Sequence, residues 1–364
     1  MTSFPSTKNN EFHFCNIQAL RGLAVMLVLA FHVYAIETKY FSGHIIPDAL
    51  GVIGTSGVDL FFVISGFVIV SISRDGCGNP ASALEFMKHR VLRIYPLYWI
   101  YSLIVLSIML ISPRLVNASS GHRADILASL TLFPSVTLPL LLQGWTLTYE
   151  MFFYLVFAAL LAFSSRRFLG ALLAVWAVVT FALACWVRSE AMSHPALDVV
   201  SSPLVLEFIA GCASAMIWQR ISRRASMPVF AVTVASIVVV ALMIEGSSLD
   251  AIIQWRAAYF GVPSFLVVLS AILAERRFGF IAPASMQVLG DMSYSLYLSH
   301  ILVISAVGRM WSWAFPAGPF FWGTLGAVAA AIALGWVSFR FVETPLLLAS
   351  KRVFDKRPSM LKST

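Results

Sequence analysis

Residues 16–32 read Asn16-Ile17-Gln18-Ala19-Leu20-Arg21-Gly22-Leu23-Ala24-Val25-Met26-Leu27-Val28-Leu29-Ala30-Phe31-His32, an apolar run interrupted by one arginine and one histidine. A cation inside a bilayer-spanning helix costs on the order of 3 kcal/mol on insertion scales, so it is kept where the protein uses it. At about 100° per residue, the eleven-residue step from Arg21 to His32 closes three turns almost completely. Both side chains then share one face, about 16 Å apart along the axis. One wall of a polar site is one reading of this stretch. The other is an arginine that snorkels to the headgroups and a histidine satisfied inside a helix bundle.

The rest of the chain places that stretch in a membrane. Of 364 residues, 59% are hydrophobic and 12% charged, and the mean hydropathy is +0.86. These values exclude an ordinary soluble chain and leave a polytopic helical membrane protein. Polar residues precede Ile17 and no small-residue cleavage signature follows the first run, so that run is expected to stay as a helix. Cys15, Cys77, Cys185 and Cys212 have neither metal nor redox spacing, and no metal is expected. The net charge of +8 could suit nucleic acid, but in such a chain it is judged by the side of the bilayer it occupies, and no nucleic-acid partner is expected.

Ten runs have bilayer length: 17–34, 52–72, 94–111, 145–163, 168–187, 203–218, 229–244, 257–273, 288–307 and 320–339. An eleventh, 126–142, is interrupted by Pro134 and Pro139. With ten crossings and a cytoplasmic start, Lys39, Arg114, Arg123, Arg188, Arg256 and Arg309 fall outside, and the other 19 of the 25 Lys and Arg residues, Lys8 among them, fall inside. Letting 126–142 cross would invert this to 9 inside and 16 outside, against the positive-inside rule. That segment therefore reads as an outer re-entrant or interfacial piece sheltered by protein or a watery cavity. The expectation is an all-α bundle of about ten transmembrane helices with both termini cytoplasmic. A membrane domain covers 1–345, and a short basic cytoplasmic tail follows the helix-ending Pro345 over 346–364.

Arg90 and Arg93, three apart at the inner start of the third run, project on neighbouring lines of one helical face. With Arg21 they place three guanidinium groups at the cytoplasmic mouth, where planar bidentate donors suit phosphates. Ordinary positive-inside anchoring is the alternative. Asp59, Glu150 and Glu207 fall in the outer halves of their runs, and His32 lies between the two charge zones. A neutral imidazole there can serve as a general base for a hydroxyl, and from depth alone Asp59 could hold its tautomer. Satisfied helix-to-helix hydrogen bonds remain as open a reading of each carboxylate. Ser293-Tyr294-Ser295-Leu296-Tyr297-Leu298-Ser299-His300 reads as a polar lining, with His300 structural or substrate-lining. Gly54-Thr55-Ser56-Gly57 matches the Gly-x-Ser-Gly of intramembrane serine proteases but sits at the outer entrance of its run, so it reads as a turn.

Six stretches in order carry a resemblance. They are Arg21 with His32, Gly57-Val58-Asp59-Leu60-Phe61-Phe62-Val63-Ile64-Ser65-Gly66-Phe67, Arg90-Val91-Leu92-Arg93-Ile94-Tyr95-Pro96, Trp145-Thr146-Leu147-Thr148-Tyr149-Glu150, the Ser293–His300 stretch, and Phe341-Val342-Glu343-Thr344-Pro345. Over nearly its whole length the chain resembles the acyltransferase 3 family of membrane acyltransferases. The resemblance implies transfer of an acyl group, usually acetyl from acetyl-CoA, to a hydroxyl of an envelope or exported glycan or a lipid-linked sugar. Acyl-CoA is then a co-substrate, and no cofactor is bound permanently. Arg21, Arg90 and Arg93 would hold the CoA phosphates. His32, with Asp59, would be catalytic, as a base or as a transient acyl carrier. Trp145, Tyr149, Glu150, Tyr297, His300 and Glu343 would line the substrate site or serve as structural polar groups.

Some members carry a C-terminal hydrolase-like domain that this sequence does not include. The chain is thus similar to the stand-alone members of the bacterial inner membrane, with the polysaccharide synthesis machinery or a second copy as further partners. Donor and acceptor are expected to meet from opposite sides in one continuous polar cavity with His32 at its waist. A glycan transporter or flippase is the competing class.

Overall fold

The computed structural model describes residues 14–116, 123–189, 194–247, 249–316 and 318–355, so Lys8 and the tail beyond residue 355 lie outside the described residues. In chain order the helices are α1 (Cys15–Tyr40), α2 (Asp48–Gly54), α3 (Ser56–Ser73), α4 (Pro80–Ile111), α5 (Ile126–Thr131), α6 (Gly144–Phe163), α7 (Leu169–Ser189), α8 (Pro195–Val200), α9 (Pro203–Ile217), α10 (Arg223–Gly246), α11 (Leu249–Gln254), α12 (Val262–Phe278), α13 (Ala284–Asp291), α14 (Ser293–Ala314), α15 (Phe320–Ser338) and α16 (Thr344–Asp355). Among the described residues there is no strand. Nine helical units among the described residues are long and apolar enough to cross a bilayer, and the bent pair α13–α14, taken as one span, makes a tenth. The ten-helix all-α reading therefore holds.

Segment 126–142 does not cross. The chain leaves α5 at Leu132, which takes a left-handed turn with φ 56°, and runs without helix to α6. Its broken backbone is sheltered as expected: the Tyr98 hydroxyl donates to the Ser129 carbonyl at 2.6 Å, and the Leu140 amide donates to Ser129 Oγ at 2.9 Å. Thr55, in the protease-like tetrapeptide, is the joint between α2 and α3, so the turn reading stands.

Three expectations about helix limits are corrected. The third span starts at Pro80, not near residue 94, because Asn79 caps the Ala81 amide at 3.0 Å and Pro80 occupies the first turn, where its missing N–H costs nothing. Arg90 and Arg93 consequently sit well inside a 32-residue helix. The ninth span is not one rod but bends by 71° at Met292, between α13 and α14. Pro345 does not end the last helix either. After a π-helical turn, Phe339–Glu343, it lies at the second position of α16, again a place that needs no donor.

The core is built on close helix approaches. At Gly66 on α3 and Gly211 on α9, an added Cβ would collide with the carbonyls of Phe208 and Val63 respectively, so glycine lets these two backbones touch. Helices α1 and α14 run in the same direction. Arg21 meets Ser293 near their starts, His32 meets His300 midway, and Tyr40 meets Arg309 near their ends. The start of α1 is hereafter the near face of the bundle, and its end the far face.

Candidate active site

Arg21 and His32 both turn toward α14, which bears out their shared face. Arg21 donates through Nη2 to Ser293 Oγ at 3.1 Å and through Nη1 to Gln18 Oε1 at 3.4 Å. Arg90 and Arg93 reach the same space from α4. The three guanidinium groups line one cavity of about 120 Å³ together with Ser65, Glu150, Tyr154 and Tyr294. Among the described residues none of the three forms an ion pair within 4.0 Å. The Arg90 guanidinium lies 5.3 Å and 5.6 Å from the Phe86 and Tyr154 ring centres, and its Nε is buried without a hydrogen-bond partner. Three cations share this cavity with one carboxylate, Glu150, and the surplus positive charge forms a ready site for a polyanion.

Glu150 does not lie apart from these arginines, on an acceptor side, as its depth suggested. It lines their cavity, and its carboxylate accepts from Ser65 Oγ at 3.2 Å and from the Tyr154 hydroxyl one helical turn on. The position reflects the packing of α6 against α4, a relation that a residue's depth along its own helix cannot report. Glu343 stands behind the wall, buried, accepting from Ser295 Oγ at 2.6 Å.

His32 lines a second cavity, of about 250 Å³, with Thr55, Gln143, Trp145, Arg256 and Tyr297. Its Nδ1 lies 2.9 Å from the Val28 carbonyl and 3.3 Å from His300 Nε2. A carbonyl can only accept, so His32 carries its proton on Nδ1, and Nε2 keeps the lone pair. The same logic applied to His300, whose Nδ1 is 3.1 Å from the Leu296 carbonyl, leaves His300 Nε2 as an acceptor facing His32. The expected hold of Asp59 on His32 is thereby corrected. The fully buried Asp59 carboxylate is taken by Arg256, which donates through Nε at 2.8 Å and Nη2 at 2.6 Å and also reaches the Thr55 carbonyl at 2.7 Å. A guanidinium is the stronger donor, and it enters from α12's side of the bundle, which depth counting treated as a mere outer charge. The buried Glu207 belongs to this charge cluster and lines no cavity described here.

The two cavities are neighbours. Val58 and Tyr297 belong to both walls, and the Tyr297 hydroxyl is 2.6 Å from Thr146 Oγ1 across the divide. Trp145 joins the His32 cavity to a third space of about 280 Å³ beneath the proline-broken segment, where Tyr149 and Asp198 also lie. Sequence reasoning missed Arg256 and Gln143 as site residues. For Arg256 a signal existed: it and Asp59 are opposite charges at the same end of neighbouring spans. For Gln143 there was none.

The interior thus sets three guanidinium groups in one cavity beside an oriented imidazole in the next. Residues 16–340 match the sequence profile of the acyltransferase 3 family, described as an acyltransferase domain, and the chain belongs to that family. It is therefore a multi-pass membrane acyltransferase and not the transporter that sequence left open. It is 32% identical over 309 residues to the exopolysaccharide production protein ExoZ of Rhizobium meliloti, covering 81% of this chain and 90% of that protein. It is 23% identical to the O-acetyltransferase OatA of Staphylococcus aureus and 24% identical to the peptidoglycan O-acetyltransferase OatA of Listeria monocytogenes. Each of these alignments covers 94% of this chain but only 59% and 57% of the respective OatA, so the chain spans a little over half the length of those relatives. No solved structure matches.

Proposed function

We propose that the protein moves an acetyl group from acetyl-CoA to a hydroxyl of an exported polysaccharide or its lipid-linked precursor. The observation that carries this reading is the pairing of two neighbouring cavities, one walled by three guanidinium groups in excess over its single carboxylate and the next by an imidazole of fixed tautomer. The relatives' names, exopolysaccharide production and O-acetyltransferase, support the acceptor and the acyl group. The charge distribution supports a near face in the cytoplasm, where acetyl-CoA is made, and hence both termini there, in a bacterial inner membrane. Residues 1–345 then form the catalytic membrane domain, and 346–364 a cytoplasmic tail.

Arg21, Arg90 and Arg93 hold the CoA phosphates as planar forks. The pantetheine arm extends past Tyr297 and Thr146 toward His32, about 16 Å further along α1. There His32 Nε2 accepts the proton of the attacking hydroxyl as the oxygen bonds to the thioester carbon. Collapse of the tetrahedral adduct breaks the carbon–sulfur bond, and the departing thiolate takes the proton back from His32. Val28 and His300 accept from Nδ1–H throughout and steady the imidazolium. Asp59 acts at one remove by fixing Arg256, whose Nη1 has no hydrogen bond among the described residues and is the available donor to the developing oxyanion.

Mass spectrometry of surface glycans from cells with the protein, without it, and with His32→Ala tests the reading. Acetyl groups should vanish without the protein and fall by about 10²–10⁴-fold in the variant at equal expression. Retention of more than about a tenth of the acetylation in His32→Ala would remove the general base from this account.

A further inference from the structure

The largest space described in the bundle has been given no role so far. It is a cavity of about 500 Å³ toward the far face, between α4 and α14, whose walls are mainly apolar: Val105 and Ile108 from one helix, Leu302, Ala306 and Met310 from the other, with Leu140 from the sheltered segment. Two cations, Lys39 and Arg309, stand in the same lining. Both are exposed, and both attend Tyr40: Lys39 Nζ is 5.3 Å from the ring centre, and Arg309 Nη2 donates to the hydroxyl at 3.2 Å. Among the described residues neither forms an ion pair within 4.0 Å.

The deep end of this cavity meets the His32 cavity. Leu142, Gln143 and Ile301 belong to both walls. Gln143 is only 2% exposed, its Nε2 is turned toward the Leu298 carbonyl at 3.4 Å, and its Oε1 is buried with no partner. A buried amide oxygen left unsatisfied costs free energy until a donor arrives, and a hydroxyl is such a donor.

We propose that this cavity binds the acceptor as a long-chain lipid whose headgroup is a phosphate-linked sugar, a choice that rests on the acetyl-transfer reading above. The hydrocarbon chain lies along the apolar walls of α4 and α14. The phosphate sits between Lys39 and Arg309. The sugar reaches inward, where Gln143 Oε1 accepts from one of its hydroxyls and aligns it with His32. The spacing suits this order. Lys39 lies seven residues beyond His32, and Arg309 nine beyond His300, so the phosphate is about 10–14 Å from the imidazoles along the helix axes, which leaves room for a sugar between them. A free glycan would use neither the apolar walls nor the cation pair.

Binding of undecaprenyl phosphate to the purified full-length chain, read by native mass spectrometry in the absence of any acyl donor, tests the site. It should bind the wild type, and Lys39→Ala with Arg309→Ala should weaken it by about tenfold or more. Lys39→Arg with Arg309→Lys should restore it. Both positions are exposed, so truncation leaves the core intact. Gln143→Leu should leave binding of this sugar-free probe unchanged. Equal competition by phosphatidylglycerol, competition by inorganic phosphate, or indifference to the double alanine variant would each overturn the proposal. So would wild-type acetylation of lipid-borne acceptor by that variant. A chain that binds the probe as described yet transfers no acetyl group would defeat the acetyl-transfer reading and leave the lipid site standing.

Discussion

Arg256 and the Arg21–Arg90–Arg93 trio are all arginines inside one helical bundle, but they live in opposite electrical circumstances. Arg256 is clamped bidentately on a fully buried carboxylate and tied to a backbone carbonyl besides. The trio meets hydroxyls, an amide and aromatic rings, and the carboxylates near it, Glu150 in the cavity and Glu343 behind its wall, make their hydrogen bonds to Ser65, Tyr154 and Ser295, so three cations face two carboxylates with no ion pair within 4.0 Å. A guanidinium whose charge is already balanced is architecture, fixed in place before any substrate comes. One whose charge is unbalanced in a cavity wall is stable only beside water or an anion, which is the behaviour expected of a CoA site.

Stability measurements can break this contrast. Arg256→Ala leaves the buried Asp59 without its partner, so unfolding in detergent should show a loss of about 3–5 kcal/mol. Asp59→Asn and Glu207→Gln combined with Arg256→Gln should recover much of it, because no charge of the buried cluster then remains. Arg21→Ala orphans no ion-paired carboxylate and removes one of three like charges that share a cavity, so it should cost clearly less, about 1–2 kcal/mol for its hydrogen bonds to Ser293 and Gln18. Equal losses for Arg256→Ala and Arg21→Ala would mean that the two environments are not distinct.

A smaller effect sharpens the boundary between the cavities. Tyr297→Phe removes the hydroxyl that faces Thr146 while keeping the ring, a change of about 0.5–1.5 kcal/mol in the contact. If that contact is a door for the pantetheine arm, the turnover rate of acetyl transfer should rise or fall by a few-fold while CoA affinity is unchanged. A matching change in CoA affinity would place Tyr297 in the nucleotide site instead.

How far the sequence carries depends on what each feature rests upon. The helical crossings are legible because about twenty apolar residues per span leave little else for a chain to do, and the charge balance alone rejected segment 126–142 as a crossing. Arg21 with His32, and Arg90 with Arg93, were readable as pairs on one helical face because helical periodicity fixes which side chains face together. What failed concerns relations between helices. Depth along one helix put Asp59 beside His32 and moved Glu150 away from the arginines. Inter-helix packing decides both, through close approaches such as that of Gly66 and Gly211. The tautomer of His32 follows from the Val28 carbonyl one turn back, but its contact with His300, 268 positions away, is encoded by no local pattern.

The most direct test of the account is titration of the purified protein with CoA and with 3′-dephospho-CoA. Loss of a charge-assisted contact should weaken CoA binding by about 10–100-fold in Arg90→Ala and in Arg93→Ala, with lysine at either position restoring only part of it, because an ammonium lacks the planar fork. The dephosphorylated form should bind the wild type more weakly and lose less on either substitution. CoA bound by both alanine variants as tightly as by the wild type would contradict the account, and would return these arginines to the role of membrane anchors.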